Sequence, residues 1–331
     1  MKIVSLFSGA GGMDLGFKNA GFEVIWANEF DRTIWETYEK NHDNHLDHRD
    51  IRGIMPFEIP DCDGIIGGPP CQSWSEAGSM RGIDDDRGKL FYEFIRIIRE
   101  KQPKFFVAEN VPGILLRKYK SVVKNIIDMF RECNYSVSIN LINAQNYNVP
   151  QDRKRVFFVG FRNDLAVNYI LPRPSEKQFS LKDAIWDLRK SVIESNDRNH
   201  HSKNYGVSNH EYYVGSYSSM FMSRNRVRGW DEPSYTIQAG GRHAPLHPQA
   251  PKMIYINENK RIFVPGKEFL YRRLSVRECA RIQTFPDEFK FYYEDILDGY
   301  KMVGNAVPIN LAKSIAESII LSFEGFVKPK Q

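Results

Sequence analysis

Lys2-Ile-Val-Ser-Leu-Phe-Ser-Gly-Ala-Gly-Gly-Met-Asp-Leu-Gly16 is the stretch whose reading decides the fold. The apolar run Ile3 to Phe7 has the length of a buried strand, and glycines follow it at once. Glycines at a strand's carboxyl end let the backbone approach a ligand closely, and Met13 to Ala20 continues with helical spacing. The spacing departs from G-x-G-x-x-G because Asp14 stands where the third glycine belongs, which counts against a flavin or nicotinamide enzyme. Glu29 follows Gly9 by 20 residues, at the end of the next apolar run, where a carboxylate can accept from both ribose hydroxyls. Asp50-Ile51 stands where another strand could end, suited to an exocyclic amine and a ring face; turn chemistry accounts for Asp50 equally well. Glycine loop and spaced acids together favour an adenosine moiety.

Outward from that loop, apolar runs alternate with helix-like stretches. Strands are expected at Lys2 to Phe7, Glu23 to Ala27, Asp63 to Ile66, Lys104 to Ala108, Ser136 to Ile142 and Val156 to Phe161. Helices are expected at Met13 to Ala20, Arg32 to Lys40, Lys89 to Lys101 and Ser121 to Arg131. This alternation is the signature of an α/β fold with a mostly parallel sheet covered on both faces. The last two strands are joined too closely for a helix, so they should pair antiparallel at one edge. From residue 172 to 270 the period disappears among prolines and polar residues, which reads as a second, smaller, irregular domain. Ser275-Val-Arg-Glu278 then reads as a capping box opening a helix to about Gln283, with Arg277 and Arg281 one turn apart. Pro308 starts a last helix with Leu311, Ile315, Ile319 and Phe323 on one face, which should pack back on the first lobe. The division expected is 1–180, 181–270, a hinge helix region at 271–290, and 291–331 returning to the first domain.

The chain of 331 residues is 42% hydrophobic and 26% charged, enough for a sizeable core, and no apolar run looks long enough to cross a bilayer. Ser8 and Gly9 end the first apolar run before it could serve as a signal peptide, and the four cysteines form no metal or disulfide spacing. A reducing, cytoplasmic setting without metal is the expectation. Lys and Arg number 46 against 41 acidic residues, and the excess gathers in Gln151-Asp-Arg-Lys-Arg155, in Ser223 to Arg228, and in Arg272, Arg273, Arg277 and Arg281. With aromatics at 13%, this pattern suits a polyanion carrying stackable bases.

In Asp63-Gly-Ile-Ile-Gly-Gly-Pro-Pro-Cys71-Gln-Ser-Trp-Ser75, a buried strand and two prolines present one cysteine in a fixed pose at the sheet's carboxyl edge. Cys62, Cys133 and Cys279 read as small buried hydrophobes. Cys71 reads as a nucleophile, whose thiolate calls for nearby positive charge or backbone donors. The strand Lys104 to Ala108 ends in Glu109-Asn-Val-Pro112, placing a carboxyl at the same edge, where desolvation would keep it protonated and able to donate to a ring nitrogen. Between them, Ser79 to Gly88 reads as a mobile lid with Gly78, Gly82 and Gly88 as hinges and Arg81 and Arg87 as phosphate contacts; an ordinary solvated loop fits almost as well.

Six motifs in fixed order resemble the cytosine-C5 methyltransferase family: Phe7-Ser-Gly-Ala-Gly-Gly12, Gly68-Pro-Pro-Cys71, Glu109-Asn-Val111, Gln151-Asp-Arg-Lys-Arg155, Arg277-Glu-Cys-Ala-Arg281 with Gln283, Phe285 and Pro286, and Gly304-Asn-Ala-Val307. The resemblance implies a Rossmann-like methyltransferase sheet with a target-recognition domain, and S-adenosylmethionine as methyl donor. Its pocket would comprise Phe7, Gly9, Gly11, Glu29, Phe30, Asp50, Ile51, Pro70, Leu90 and Asn305. Cys71 would attack cytosine C6 and Glu109 would serve N3, with Arg153 and Arg155 contacting the base or its backbone and supporting the nucleophile. Attack on a ring face requires a base swung out of the duplex. Arg224, Arg226, Arg228 and Arg242 are the candidates for reading guanine, with phosphate contact as the alternative for each. Tyr217 to Arg228, Gln238 to Arg242 and His247 to Pro251 resemble the recognition region of GGCC-specific bacterial modification enzymes. Double-stranded DNA, a monomer and a cognate restriction endonuclease without direct contact follow from the resemblance. A tRNA cytosine-C5 methyltransferase and a noncatalytic DNA-binding regulator on the same fold are the competing readings.

Overall fold

The computed structural model describes residues 1–70, 89–195 and 207–325. Its central sheet is built from β1 (Lys2–Leu6), β2 (Glu23–Asn28), β3 (His45–Asp47), β4 (Gly64–Gly67), β5 (Phe105–Asn110), β6 (Tyr135–Asn143) and β7 (Lys154–Arg162), in the order β3-β2-β1-β4-β5-β7-β6. β1 to β5 are mutually parallel, whereas β7 runs antiparallel to both β5 and β6. The chain winds outward from β1 to β3 and then in the other sense from β4, so the carboxyl ends of β1 and β4 flank the point where open α/β sheets hold their ligands. Antiparallel β7 brings its first residues, not its last, to that same edge.

The sheet is apolar through its thickness because helices cover both faces. On one face α3 (Lys89–Lys101) and α4 (Lys120–Glu132) meet the strands through Phe91, Phe94, Phe106, Phe130 and Phe158. On the other, α1 (Gly12–Asn19) and α9 (Ile309–Glu324) close over Phe17, Phe105, Val107, Leu311 and Ile315. The final helix therefore completes the first lobe, with Pro308 as its N-cap residue.

Between residues 181 and 262 the described residues carry only short elements: α5 (Leu181–Ile185), β8 (Ile193–Ser195), β9 (Glu211–Tyr213), α6 (Ser219–Met222), and the hairpin β10 (Ile254–Asn257) with β11 (Lys260–Ile262). A small core of Phe221, Val227, Leu246, Ala250, Met253 and Tyr271 holds its outer part. Leu181, Ile185 and Ile237 pack elsewhere, in a third core with α7 (Val276–Ile282) and α8 (Ile296–Asn305).

Three local departures from the sequence reading have plain causes. The second helix begins at Trp35 rather than Arg32, because the Asp31 carboxylate accepts from Thr33 N and Thr33 Oγ1 and holds those residues in a turn. β3 is three residues long and two of them are polar, so it carries no apolar signal. The stretch Ile296–Glu324 is long and apolar enough by composition to cross a bilayer, contrary to expectation, but it is two helices broken after Asn305 and mostly buried.

Candidate active site

The chain leaves β1 into a loop of three left-handed residues, Phe7 (φ 54°), Gly9 (φ 57°) and Gly11 (φ 81°). Phe7 is the exceptional one: a side-chain-bearing residue held in this region stores roughly 1–3 kcal/mol, and such strain gathers where a ligand is clamped. The loop is tied down by Ser8 N donating to Asn28 O at 3.1 Å and Gly9 N donating to Glu29 Oε2 at 2.9 Å. Glu29 Oε1 accepts from Asp31 N at 2.8 Å. Burial pushes the Glu29 carboxyl above its ordinary range, against the pull of these backbone donors. Each oxygen spends one lone pair on the backbone and keeps another for a ligand hydroxyl.

Phe7, Leu90 and Ile51 join one apolar cluster, Ile51 being 2% exposed. Phe30, next to Glu29, presents its ring to solvent at 64% exposure. Asp50 caps a 3-10 turn over Ile51–Gly53, accepting from Arg52 N at 2.9 Å and pairing with the Arg52 guanidinium, so its turn chemistry is real. Pro70 is half-buried at the exit of β4, and Asn305 is exposed at the end of α8.

Glu109 lies on β5, buried, with Arg155 Nε 2.8 Å from its Oε1. A Cβ added to Gly68 would lie 3.5 Å from Glu109 Oε2, so the chain at Gly68 runs beside this carboxyl. Burial raises the Glu109 pKa; Arg155 and Arg153 oppose it without cancelling it. The site thus holds an acid inclined to keep its proton, flanked by a cation that limits how far. Cys71, Arg81, Arg87 and the glycines of the expected lid lie outside the described residues. Cys133 and Cys279 are buried and Cys62 is half-buried, its thiol pushed up to about 12 by desolvation.

Arg153 and Arg155 divide sharply. Arg153 is fully buried; Nη1 donates to Ile237 O at 2.8 Å, and Nη2 to Gly304 O at 2.8 Å and Ala306 O at 3.0 Å. It welds the start of β7 to the Ile237 backbone and to the Gly304-Asn305-Ala306 turn. Gln151 continues the weld, accepting from Ile237 N and donating to Gln283 Oε1, which belongs to a side chain bonded in turn to Val303 O and Ala306 O. Gly304 is glycine because the Gln238 backbone passes where a Cβ would stand, at 2.3 Å.

The expected basic surface is corrected in the same way. Arg272, Arg273 and Arg277 are all buried. Arg272 forms a two-bond pair with Glu278, while Arg273 and Arg277 donate to backbone carbonyls. Arg281 pairs with Asp187 and Asp287. Among the reading candidates, Arg226 donates to Phe221 O and Met220 O across the Phe221 ring, and Arg228 pairs with Glu232 over Tyr235. Arg224 and Arg242 stand exposed. Sequence reasoning missed Gln151 and Gln283 as joints, and no local pattern announces a pair 132 residues apart.

The family description C-5 cytosine-specific DNA methylase matches residues 1–321. The type II methyltransferase M.FnuDI of Fusobacterium nucleatum is 62% identical over 323 residues, covering 96% of this chain and 94% of that one. M.NgoPII of Neisseria gonorrhoeae is 54% identical, covering 98% and 96%. Among solved structures, a putative DNA modification methyltransferase encoded within an E. coli prophage superposes with a TM-score of 0.76 at 24% identity, covering 98% of this chain and 99% of that one. That likeness carries the fold alone; the matched family description and the close relatives carry the kinship, and the chain belongs to the C-5 cytosine-specific DNA methylase family.

Proposed function

We propose that the chain methylates a cytosine within GGCC in duplex DNA, with Cys71 as nucleophile and Glu109 as the acid at N3. As a family member the chain is a DNA cytosine-5 methyltransferase that uses S-adenosylmethionine, and its type II relatives assign it to a restriction-modification system. The donor's fit is supported by the glycine loop at the sheet's switch point and by Glu29, which keeps lone pairs for hydroxyls. Phe7, Ile51 and Leu90 would line the apolar side of that pocket, with Gly9, Gly11, Phe30, Asp50, Pro70 and Asn305 around it. When bound, the donor supplies an electrophilic methyl group.

The observation that carries the reading is the buried Glu109 carboxyl between Arg155 and Gly68, three residues before Cys71. The Cys71 thiolate would add to C6 of an extruded cytosine while Glu109 donates to N3, moving electron density to C5. After methylation, loss of the C5 proton and departure of the thiolate restore the ring. Arg155 orients the Glu109 carboxyl; Arg153 keeps the wall behind it in place. Extrusion costs a few kcal/mol, which DNA contacts must offset. Arg81 and Arg87 are proposed for phosphates and Arg224 and Arg242 for guanines. Arg226 and Arg228 are proposed to shape the reading surface, because their guanidinium groups already have partners within it.

The relatives' type II identity favours DNA over tRNA, and an intact Glu109 site favours an enzyme over a regulator. We further propose a cytoplasmic monomer that shields DNA from a cognate endonuclease without touching it. Bisulfite sequencing of a plasmid exposed to the enzyme tests the whole reading: 5-methylcytosine confined to GGCC supports it, and modification elsewhere overturns the specificity. Cys71→Ala should abolish transfer while retaining donor binding.

A further inference from the structure

A polar node lies against the glycine loop and has no part in the chemistry above. Asp14, in the first turn of α1, is 1% exposed; its Oδ1 accepts from Ser5 Oγ on β1 and its Oδ2 from Tyr38 OH, both at 2.6 Å. Tyr38 belongs to α2 (Trp35–Asn41) and also accepts from Asn44 Nδ2 at 3.0 Å. His42 follows α2, stacks on the Tyr38 ring with centroids 4.2 Å apart, and meets Phe289 edge-on. Its Nε2 lies 3.2 Å from Ala10 O. A Cβ on Gly11 would stand 2.1 Å from that nitrogen, so the imidazole occupies the space the glycine leaves.

A carbonyl only accepts, so Nε2 must carry the proton. Burial holds the ring below its ordinary range and therefore neutral; the charged groups acting on it are Asp14, Lys18 and Asp43. We infer that His42 is a positioning residue for the methyl donor: it fixes the Ala10 carbonyl, and through it the peptide chain between Gly9 and Gly11. The inference rests on the proposed assignment of that loop to the donor. Three left-handed residues in five make a path that no regular ladder supports, so its fixed points decide how ordered it is before a ligand arrives. Releasing Ala10 leaves the donor to order the loop on binding, while the chemistry at Glu109 is untouched.

The test measures donor affinity by calorimetry with S-adenosylmethionine and, separately, kcat and KM with duplex DNA. His42→Phe keeps the ring on Tyr38 but loses the donor; His42→Gln carries an amide nitrogen near the Nε2 position; His42→Asn carries one near Nδ1, out of reach of Ala10. Donor Kd and KM should rise about three- to tenfold in the Phe and Asn variants and return to within about twofold of wild type in Gln, with kcat and the KM for DNA unchanged. Equal binding by Gln and Asn, or a kcat that falls with the affinity, overturns the inference. If the Phe variant does not fold, the Gln and Asn pair carries the test. Glu29→Gln is measured alongside: unaltered donor affinity there refutes the loop assignment itself, whereas weakened affinity there with none in His42→Phe or His42→Asn refutes His42 alone.

Discussion

Glu109 is an acid whose surroundings disagree: burial favours the proton and Arg155 opposes it. In the proposed role the protonated carboxyl donates to N3, so turnover should fall as pH rises through the Glu109 titration. Arg155→Gln removes the opposing cation, raises that titration further, and should move the alkaline fall of kcat to higher pH. A profile that moves to lower pH, or does not move, contradicts the donor role. Glu109→Ala should lower kcat by about 10²- to 10⁴-fold and leave methyl-donor binding, read by calorimetry, near wild type. At the same scale Arg224 and Arg226 separate. Arg224→Ala should cost about 1–3 kcal/mol of discrimination if it reads a guanine, measured as relative kcat/KM on GGCC and single-mismatch duplexes. Arg226→Ala should instead lower stability by loosening the small core around Phe221, since its guanidinium serves two carbonyls there.

At the scale of elements, helix α7 has its N-terminus closed by the expected box: Ser275 Oγ accepts from Glu278 N at 3.0 Å, and Glu278 Oε2 accepts from Ser275 N at 2.8 Å. The same carboxylate holds Arg272 with two bonds of 2.7 Å in a fully buried setting. Arg272 holds the Glu278 carboxyl down to about 2 despite burial, and burial lowers nearby His247 to about 4. The Glu278 contribution to stability is complete above its ordinary value of 4.5 and is lost as pH falls toward about 2. The His247 contribution is complete above 6.5 and is lost as pH falls toward about 4. Urea unfolding between pH 7 and 3 should show both losses. Glu278→Gln should flatten the lower one and reduce stability at neutral pH by about 3–5 kcal/mol, because Arg272 is left buried without its partner. The sheet was legible in the sequence because β5 and β7 contain continuous apolar runs and β6 alternates apolar with polar residues, and α3 because its ends and periodicity agree. The α7 cap was legible because both partners fall within four residues. Charge was not legible as surface: Arg153, Arg272, Arg273 and Arg277 read as a polyanion-binding face, yet sequence reports a charge and not the carbonyls or carboxylate gathered around it.

For the molecule as a whole, segments distant in sequence meet at a joint in which Gln151, Arg153 and Gln283 bond the backbones of Ile237, Val303, Gly304 and Ala306. Gly304→Ala would force the Gln238 backbone away from this joint. DNA discrimination and kcat should then both fall at least tenfold, about 1.4 kcal/mol, while donor affinity changes less; single-turnover assays on GGCC duplexes give the comparison.

The closure of α9 over α1 also ties the integrity of the sheet to a helix far along the chain. Leu311, Ile315 and Ile319 supply the lid of a core whose floor, with Phe17 and Phe105, comes from segments much earlier in the chain. A chain from which residues 309–324 are missing would keep that floor bare and expose apolar surface to aggregation.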